Sequence, residues 1–157
     1  MDVLQLLVSG VANGCVYGLI ALGFVLIYKA TEAVNFAQGD FMMLGAFVMI
    51  SLTNADHMGL PFWVSAVITL IILGLFGYLL DRVILRRMSG ESQIAVIILT
   101  IAMGFVIRFV VGLIWGHQPV SLENPLAGKE IGFAGVVLGL EDIAVIVVTL
   151  LLTLFLF

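Results

Sequence analysis

Long apolar stretches constrain this chain more than any other feature of its sequence. They cover residues 3–28, 62–80, 94–115 and 140–157, and each meets or nearly meets the roughly 20 residues that an α-helix needs to cross a bilayer. Only 10% of the residues are charged, whereas a soluble domain carries about 25%. So few charges cannot coat a globule of 157 residues, and lipid must therefore cover most of the surface. The pattern predicts an all-α, polytopic transmembrane helical bundle that forms one membrane-spanning domain over residues 1–157.

A fifth apolar stretch, residues 41–52, is too short to cross a membrane by itself, because about 12 helical residues extend about 18 Å. Residues 30–40 would supply the missing length, but they carry Asn35, Gln38 and Asp40. Polar backbone of this kind is tolerated at membrane depth where protein buries it or where it lines a water-filled cavity. We therefore expect about five membrane segments, one of them a broken, partly embedded helix. The alternative is a cytoplasmic loop followed by a short, tilted helix.

Basic residues in the short connections predict the orientation of the chain. Lys29 follows the first stretch, and Arg82, Arg86 and Arg87 follow the stretch that ends at residue 80. The other connections, 54–61 and 116–139, hold Lys129 as their one basic residue. Basic connections stay in the cytoplasm, so Lys29 and residues 82–91 are predicted to be cytoplasmic. The chain is then multi-pass, with an external N-terminus.

Glycines are predicted to mark the places where helices pack closely. In the first stretch Gly10, Gly14 and Gly18 recur at every fourth position, so they share a face and form overlapping small-xxx-small motifs. Gly45 and Gly104, in later apolar stretches, are assigned the same packing role.

A polar row accompanies the glycines of the first stretch. Gln5, Ser9, Asn13 and Tyr17 also recur at every fourth position and therefore share a face. A row of polar side chains facing lipid is costly, so this face is predicted to point into the protein. Two functions remain open for it: hydrogen bonds between helices, or, at Asn13 and Tyr17, the border of a substrate path.

Arg108 belongs to another every-fourth row, which also contains Thr100 and Gly104. It lies about 10 Å from Trp115 along the helix axis. An arginine at the bilayer centre costs about 2.5–3.5 kcal/mol, and less toward the interface. The predicted solution is that the Arg108 side chain snorkels to the outer headgroups. The alternative is an internal ion pair with Asp40.

Asn35, Gln38 and Asp40 have two interpretations, which are compatible in a broken helix. In the first they line the translocation path, because polar groups in hydrocarbon need partners or water and Gly39 supplies a break in the backbone. In the second they are structural, and Asp40 caps the helix that follows it. Thr100 is assigned to the same path.

Several classes of function find no support in the sequence. The net charge is −4 and no basic stripe occurs, so nucleic acid is not an expected partner. Cys15 has no second cysteine to pair with, and His57 and His117 lack the paired spacing of a metal site. Gly128–Lys129 resembles the end of a phosphate loop, but the required first glycine is absent. We therefore expect no catalytic centre and no metal.

Two runs of residues carry a resemblance to a known family. Residues 35–47 (NFAQGDFMMLGAF) and 13–24 (NGCVYGLIALGF) resemble the Liv-type branched-chain amino-acid permease family, and residues 99–104 and 116–125 fit the same pattern. Members of this family are membrane subunits of bacterial and archaeal ABC importers. The resemblance covers the whole chain, which is similar to roughly the N-terminal half of such a permease. The apolar end at Phe157, without a charged flank, is interpreted as a chain that is incomplete at its C-terminus.

The resemblance implies a permease subunit of an ABC importer in the prokaryotic plasma (inner) membrane, which takes up branched-chain amino acids. It implies three kinds of protein partner: a second permease subunit, cytoplasmic ATPase subunits and an external substrate-binding protein. The lipid bilayer surrounds the membrane subunits. No cofactor is expected on this chain, because ATP is expected on the separate ATPase subunits. The family's cytoplasmic coupling loop is expected beyond Phe157.

Other functions remain open at the level of sequence. Permeases for urea, short amides or other amino acids share a similar fold. A secondary transporter would also use a broken helix with polar residues. A purely structural helical fragment without transport is the third possibility.

Overall fold

The computed structural model describes residues 2–54, 58–88, 90–116, 118, 120–122, 130–133 and 136–156. The predictions concerning His57, His117 and Lys129 lie outside these residues. The described part contains five α-helices, which are α1 (Asp2–Thr31), α2 (Gln38–Thr53), α3 (Phe62–Val83), α4 (Gln93–Trp115) and α5 (Leu140–Leu156). A short 3₁₀ helix, Leu85–Met88, follows α3.

The helices agree in position with the apolar stretches of the sequence. Within the described residues, the helical segments Leu6–Thr31, Phe62–Met88 and Gln93–Trp115 are long and apolar enough to cross a membrane. The helix α2 has 16 residues and is shorter than a span, as the length of its apolar stretch predicted. The helix α5 begins at Leu140, where the last stretch was predicted to begin. The predicted all-α membrane fold class is therefore confirmed.

A small hairpin lies in the connection that the sequence predicted to be a loop. Its strands are β1 (Glu130–Phe133) and β2 (Val136–Gly139), which pair antiparallel in the register Glu130 with Gly139. Both strands are rich in β-branched and aromatic residues, which favour extended backbone. Four residues are too few for a periodic signal, and for that reason the hairpin was missed.

The chain divides into two compact units, residues 1–26 with 124–157 and residues 27–123. In the first unit, the hydroxyl of Ser9 on α1 donates a hydrogen bond to Oδ2 of Asp142 in the first turn of α5, at 3.0 Å. This contact uses one member of the polar row of α1 for a hydrogen bond between helices. It agrees with the first of the two interpretations of that row.

In the second unit, α3 runs antiparallel to α2 and packs closely against it. The rings of Phe41 and Phe76 meet edge to face, with centroids 5.8 Å apart. One turn further along α2, a Cβ added at Gly45 would lie 2.7 Å from Cδ1 of Leu73. That distance is shorter than real Cβ contacts, so a larger residue at position 45 would force the Leu73 side chain to move.

The helix α4 packs directly on α2 and runs parallel to it. In the sequence α3 comes between these two helices, and because it runs antiparallel to α2, it brings the chain back to the end at which α2 begins. At one end Ala37 lies in the buried core with Met103 and Ile107 of α4. At the other end the ring of Trp115 lies 5.7 Å from that of Phe47, centroid to centroid. The buried core of this unit therefore follows the α2–α4 interface.

Candidate functional site

The non-helical segment 32–37 separates α1 from α2 and forms the centre of the candidate site. The helix α1 ends where Glu32 adopts a left-handed conformation, with φ of 54°, and its N–H donates to the carbonyl of Tyr28 at 2.7 Å. Asn35 then starts a second turn, because its Oδ1 accepts a hydrogen bond from the N–H of Ala37 at 3.0 Å. This turn leads directly into α2.

Thr100 attaches this segment to α4. Its hydroxyl accepts a hydrogen bond from the N–H of Phe36 at 3.3 Å and donates one to the carbonyl of Ile97 at 2.9 Å. The Thr100 side chain is fully buried, and it lies about 10 Å along α4 from Gln93. The segment therefore runs beside the interior of α4, as expected of a broken element, and not beyond the end of the helix.

Asp40 is buried against α4, with 5% of its surface exposed. Its Oδ1 forms an ion pair with Nε of Arg108, whose side chain is 63% exposed and extends over the ring of Phe105. A Cβ added at Gly104 would overlap Oδ2 of Asp40 and would lie 3.2 Å from its Cγ. The carboxylate thus occupies the space that Gly104 leaves open.

This geometry bears on the alternatives for Arg108 and Asp40. Arg108 forms the internal ion pair with Asp40 that was its alternative, because a buried carboxylate needs a counter-charge and α4 presents one within reach. That its exposed guanidinium snorkels to the outer headgroups stays a prediction. Asp40 was also considered as the cap of α2, but the N-cap is Ala37, and among the described residues the Asp40 carboxylate bonds to Arg108 and to no backbone N–H. The local turn is instead held by Asn35.

Two cavities adjoin the non-helical segment. The first, named here the polar cavity, has a volume of about 650 Å³ and is lined in part by Glu32, Arg86, Glu91, Gln93 and Thr100. The second, named the apolar cavity, has a volume of about 430 Å³ and is lined in part by Gln38, Phe41, Met42, Leu73 and Met103. Both are lined by Ile27, Ala30, Thr31, Asn35, Asp81 and Leu85. Their volumes fall in the range of about 300–1,000 Å³ that is usual for small-molecule sites.

The residues assigned to a substrate path are distributed unequally around these cavities. Asn35 lines both, Thr100 lines the polar cavity, and Gln38, which is buried, lines the apolar cavity. Asp40 lines neither of the two. A role for any of these residues in transport stays a prediction.

The residues of α1 that were predicted to border a substrate path or to pack against another helix lie on exposed surface. The Asn13 side chain is exposed and that of Tyr17 is 74% exposed. At Gly10, Gly14 and Gly18 no atom within the described part of the chain lies within 4 Å of an added Cβ. Their roles as path and packing residues stay predictions.

Asp81 and Arg86 are polar residues of the cavities that the sequence did not identify as a pair. The sequence identified Arg86 only as a basic residue of a connection that is predicted to be cytoplasmic. In the structure its Nε lies 3.1 Å from Oδ2 of Asp81, across the turn between α3 and the 3₁₀ helix. Opposite charges five positions apart at the end of an apolar helix were the available signal.

A family described as "Branched-chain amino acid transport system / permease component" matches residues 6–157. The high-affinity branched-chain amino acid transport system permease protein BraD of Pseudomonas aeruginosa is 29% identical over an alignment of 158 positions, which covers 94% of this chain and 52% of BraD. The corresponding LivH protein of Escherichia coli is 27% identical over 80% of this chain and 43% of LivH.

The probable branched-chain amino acid transport permease protein LivH of Methanocaldococcus jannaschii is 31% identical over 60% of this chain and 30% of its own length. The chain thus spans about half the length of the first curated relatives it matches. No solved structure matches it.

Proposed function

Because the chain belongs to the branched-chain amino acid transport system permease family, we propose that it is a permease subunit of an ABC importer for branched-chain amino acids. The observation that carries this proposal is the family match over residues 6–157. The proposed partners are a second permease subunit, cytoplasmic ATPase subunits and an external substrate-binding protein. ATP would be bound by the separate ATPase subunits, and the proposed location is the prokaryotic plasma (inner) membrane.

The geometry around the non-helical segment supports a transport role. An unwound segment frees backbone and side-chain polar groups that a polar solute can contact, while the flanking helices keep the element anchored. Here Asn35 and Gln38 face cavities, and Thr100 holds the segment against α4. The Asp40–Arg108 pair, which joins the first turn of α2 to α4, involves a residue that lines neither cavity. In this proposal Asn35, Gln38 and Thr100 contact the path, whereas Asp40 supports the segment.

The apolar cavity favours an aliphatic solute over urea. Phe41, Leu73 and Met103 contribute apolar surface on which a branched side chain loses contact with water, at about 25 cal/mol per Å². Urea has no apolar part that would use this surface. Branched-chain amino acids are therefore the proposed substrates, ahead of urea and short amides.

Uptake by the assembled transporter tests this function. The complete permease that contains this chain would be reconstituted in liposomes with its partners, and uptake of labelled leucine, isoleucine and valine would be measured with and without internal ATP. We expect ATP-dependent uptake of all three and none of urea. Uptake of urea alone would overturn the substrate, and uptake driven by an ion gradient without ATP would overturn the importer class.

A further inference from the structure

The polar and apolar cavities share Asn35 and Asp81 in their walls, so they adjoin. We propose that together they form a subsite for one zwitterionic aliphatic amino acid. The aliphatic side chain occupies the apolar cavity, and the ammonium and carboxylate groups face the polar cavity. This inference rests on the proposed function and adds the residues that recognise the charged ends of the substrate, namely Asp81, Arg86 and Asn35.

Asp81 and Arg86 present opposite charges side by side, as the two ends of an amino acid do. Arg86 contacts Asp81 through Nε and Oδ2, at 3.1 Å. Among the described residues no hydrogen bond occupies Oδ1 of Asp81 or the terminal nitrogens of Arg86. Oδ1 can therefore accept from an ammonium group, while the guanidinium can donate to a carboxylate.

Asn35 supplies a further donor at the boundary between the cavities. Its Oδ1 is held by the N–H of Ala37, which fixes the orientation of the amide. Its Nδ2 makes no hydrogen bond within the described part of the chain, and the residue lines both cavities. In the subsite this nitrogen donates to the substrate carboxylate, next to Arg86.

The Asp81–Arg86 pair is not explained by a contribution to stability. The two side chains are 37% and 70% exposed, and exposed ion pairs contribute about 0–1 kcal/mol. The same exposure leaves both groups accessible to a solute that enters the polar cavity. Recognition of a zwitterion accounts for both the charge pattern and its place beside an apolar wall.

Photolabelling with photo-leucine, a leucine analogue with a diazirine in its side chain, tests the location of the substrate. Illumination releases dinitrogen, and the resulting carbene inserts into a neighbouring C–H or X–H bond. The assembled transporter in nanodiscs would be labelled and the modified residues mapped by mass spectrometry. We expect labels on residues of the apolar cavity, such as Met42, Leu73 and Met103. Leucine is expected to compete with the label, whereas isoamylamine and isocaproate are not. Isoamylamine lacks the carboxylate of leucine, and isocaproate lacks its ammonium group.

Glycines of α3 offer a matched pair of variants for the apolar cavity. Gly77 lines the cavity and Gly74 lines neither cavity, while no described atom lies within 4 Å of a Cβ added at either. Gly77→Leu would place a side chain in the cavity and should lower labelling about tenfold, whereas Gly74→Leu should leave it unchanged. Equal labelling of both variants would overturn the apolar half of the subsite.

A charge exchange tests the polar half. Asp81→Asn and Arg86→Gln should each lower labelling about tenfold, since each removes a charge-assisted hydrogen bond. The double variant Asp81→Arg, Arg86→Asp restores an ion pair with reversed polarity and should remain defective. Recovery in the exchange would show that the pair is structural and would overturn the proposal. Arg82→Gln is the control, because Arg82 lines neither cavity and its guanidinium bonds to the hydroxyl of Tyr78 at 3.0 Å.

Leucine uptake by the same preparations separates this inference from the proposed function. Failure of the unaltered transporter to take up branched-chain amino acids would overturn the proposed function. Normal uptake together with labels outside the two cavities would overturn the subsite alone.

Discussion

The carboxylate of Asp40 on α2 occupies the space that a side chain at Gly104 of α4 would fill. A Cβ at position 104 would overlap Oδ2 of Asp40, and the other carboxylate oxygen pairs with Arg108 one turn further along α4. Gly104 and Arg108 therefore act together on Asp40: the glycine provides space for the carboxylate and the arginine compensates its charge. Through this contact the first turn of α2, directly after the non-helical segment, is held on α4.

Gly104→Ala should destabilise the protein by about 1–3 kcal/mol, because the added methyl group displaces the buried Asp40 carboxylate, which is held by its ion pair with Arg108. The measurement is the thermal midpoint of the detergent-solubilised permease. Gly74→Ala is the control: its added Cβ meets no described atom within 4 Å, so this variant should be neutral or slightly more stable. Equal midpoints for the two variants would contradict the close packing at Gly104.

Arg108→Gln should destabilise the protein more than the double variant Asp40→Asn, Arg108→Gln. The single variant leaves the buried Asp40 carboxylate without its counter-charge, at a cost of about 1–3 kcal/mol, whereas the double variant removes that charge as well. Unfolding midpoints of the two single variants and the double variant give the coupling energy. Strictly additive effects would mean that the pair makes no contribution in the membrane.

Asn35→Asp should abolish most leucine uptake at normal folded yield. The carboxylate oxygen can still accept the hydrogen bond from the N–H of Ala37, so the turn is kept, but the amide donor is lost.

Gln38→Ala should also reduce uptake, whereas Asp40→Asn should reduce uptake and folded yield together because Asp40 supports the segment. Uptake and membrane yield are measured side by side. Full uptake in all three variants would remove the segment from the mechanism.

The orientation of the chain is testable by cysteine labelling in intact cells. In a background with Cys15→Ala, an impermeant external reagent should modify Asn124→Cys and not Ser89→Cys, because the basic connection 82–91 is predicted to be cytoplasmic. Permeabilised cells provide the control, in which both positions should react. Reaction at position 89 but not 124 in intact cells would reverse the predicted topology.

Gly14→Leu should lower the yield of assembled transporter several-fold more than Leu26→Ala. A leucine on the glycine face of α1 would separate backbones that small-xxx-small motifs bring together. Outside its own helix backbone, no described atom lies within 4 Å of a Cβ added at Gly14, so the effect is expected in the assembled transporter, with its other subunits present. Size-exclusion profiles of co-purified subunits give the measurement. Equal yields would indicate that this face contacts lipid.

Sequence alone determined the features that depend on local composition and length. Apolar stretches predicted the helices. The shortness of residues 41–52 predicted a broken element ahead of α2, because the thickness of the membrane sets a minimum length for a spanning helix. Residues 35–47 and 13–24 also indicated the family, which the match over residues 6–157 confirmed.

Tertiary structure decided which polar groups meet. Asp40 and Arg108 are 68 positions apart, and the N–H of Phe36 meets Thr100 across 64 positions, so no local pattern could rank these partners over others. Both contacts exist because α3 returns the chain and places α4 parallel to α2, at a register set by close packing at Gly45 and Gly104. Asp81 and Arg86 are only five positions apart, but their place in the walls of a cavity with Asn35 and Thr100 depends on contacts between distant segments, which composition and periodicity do not encode.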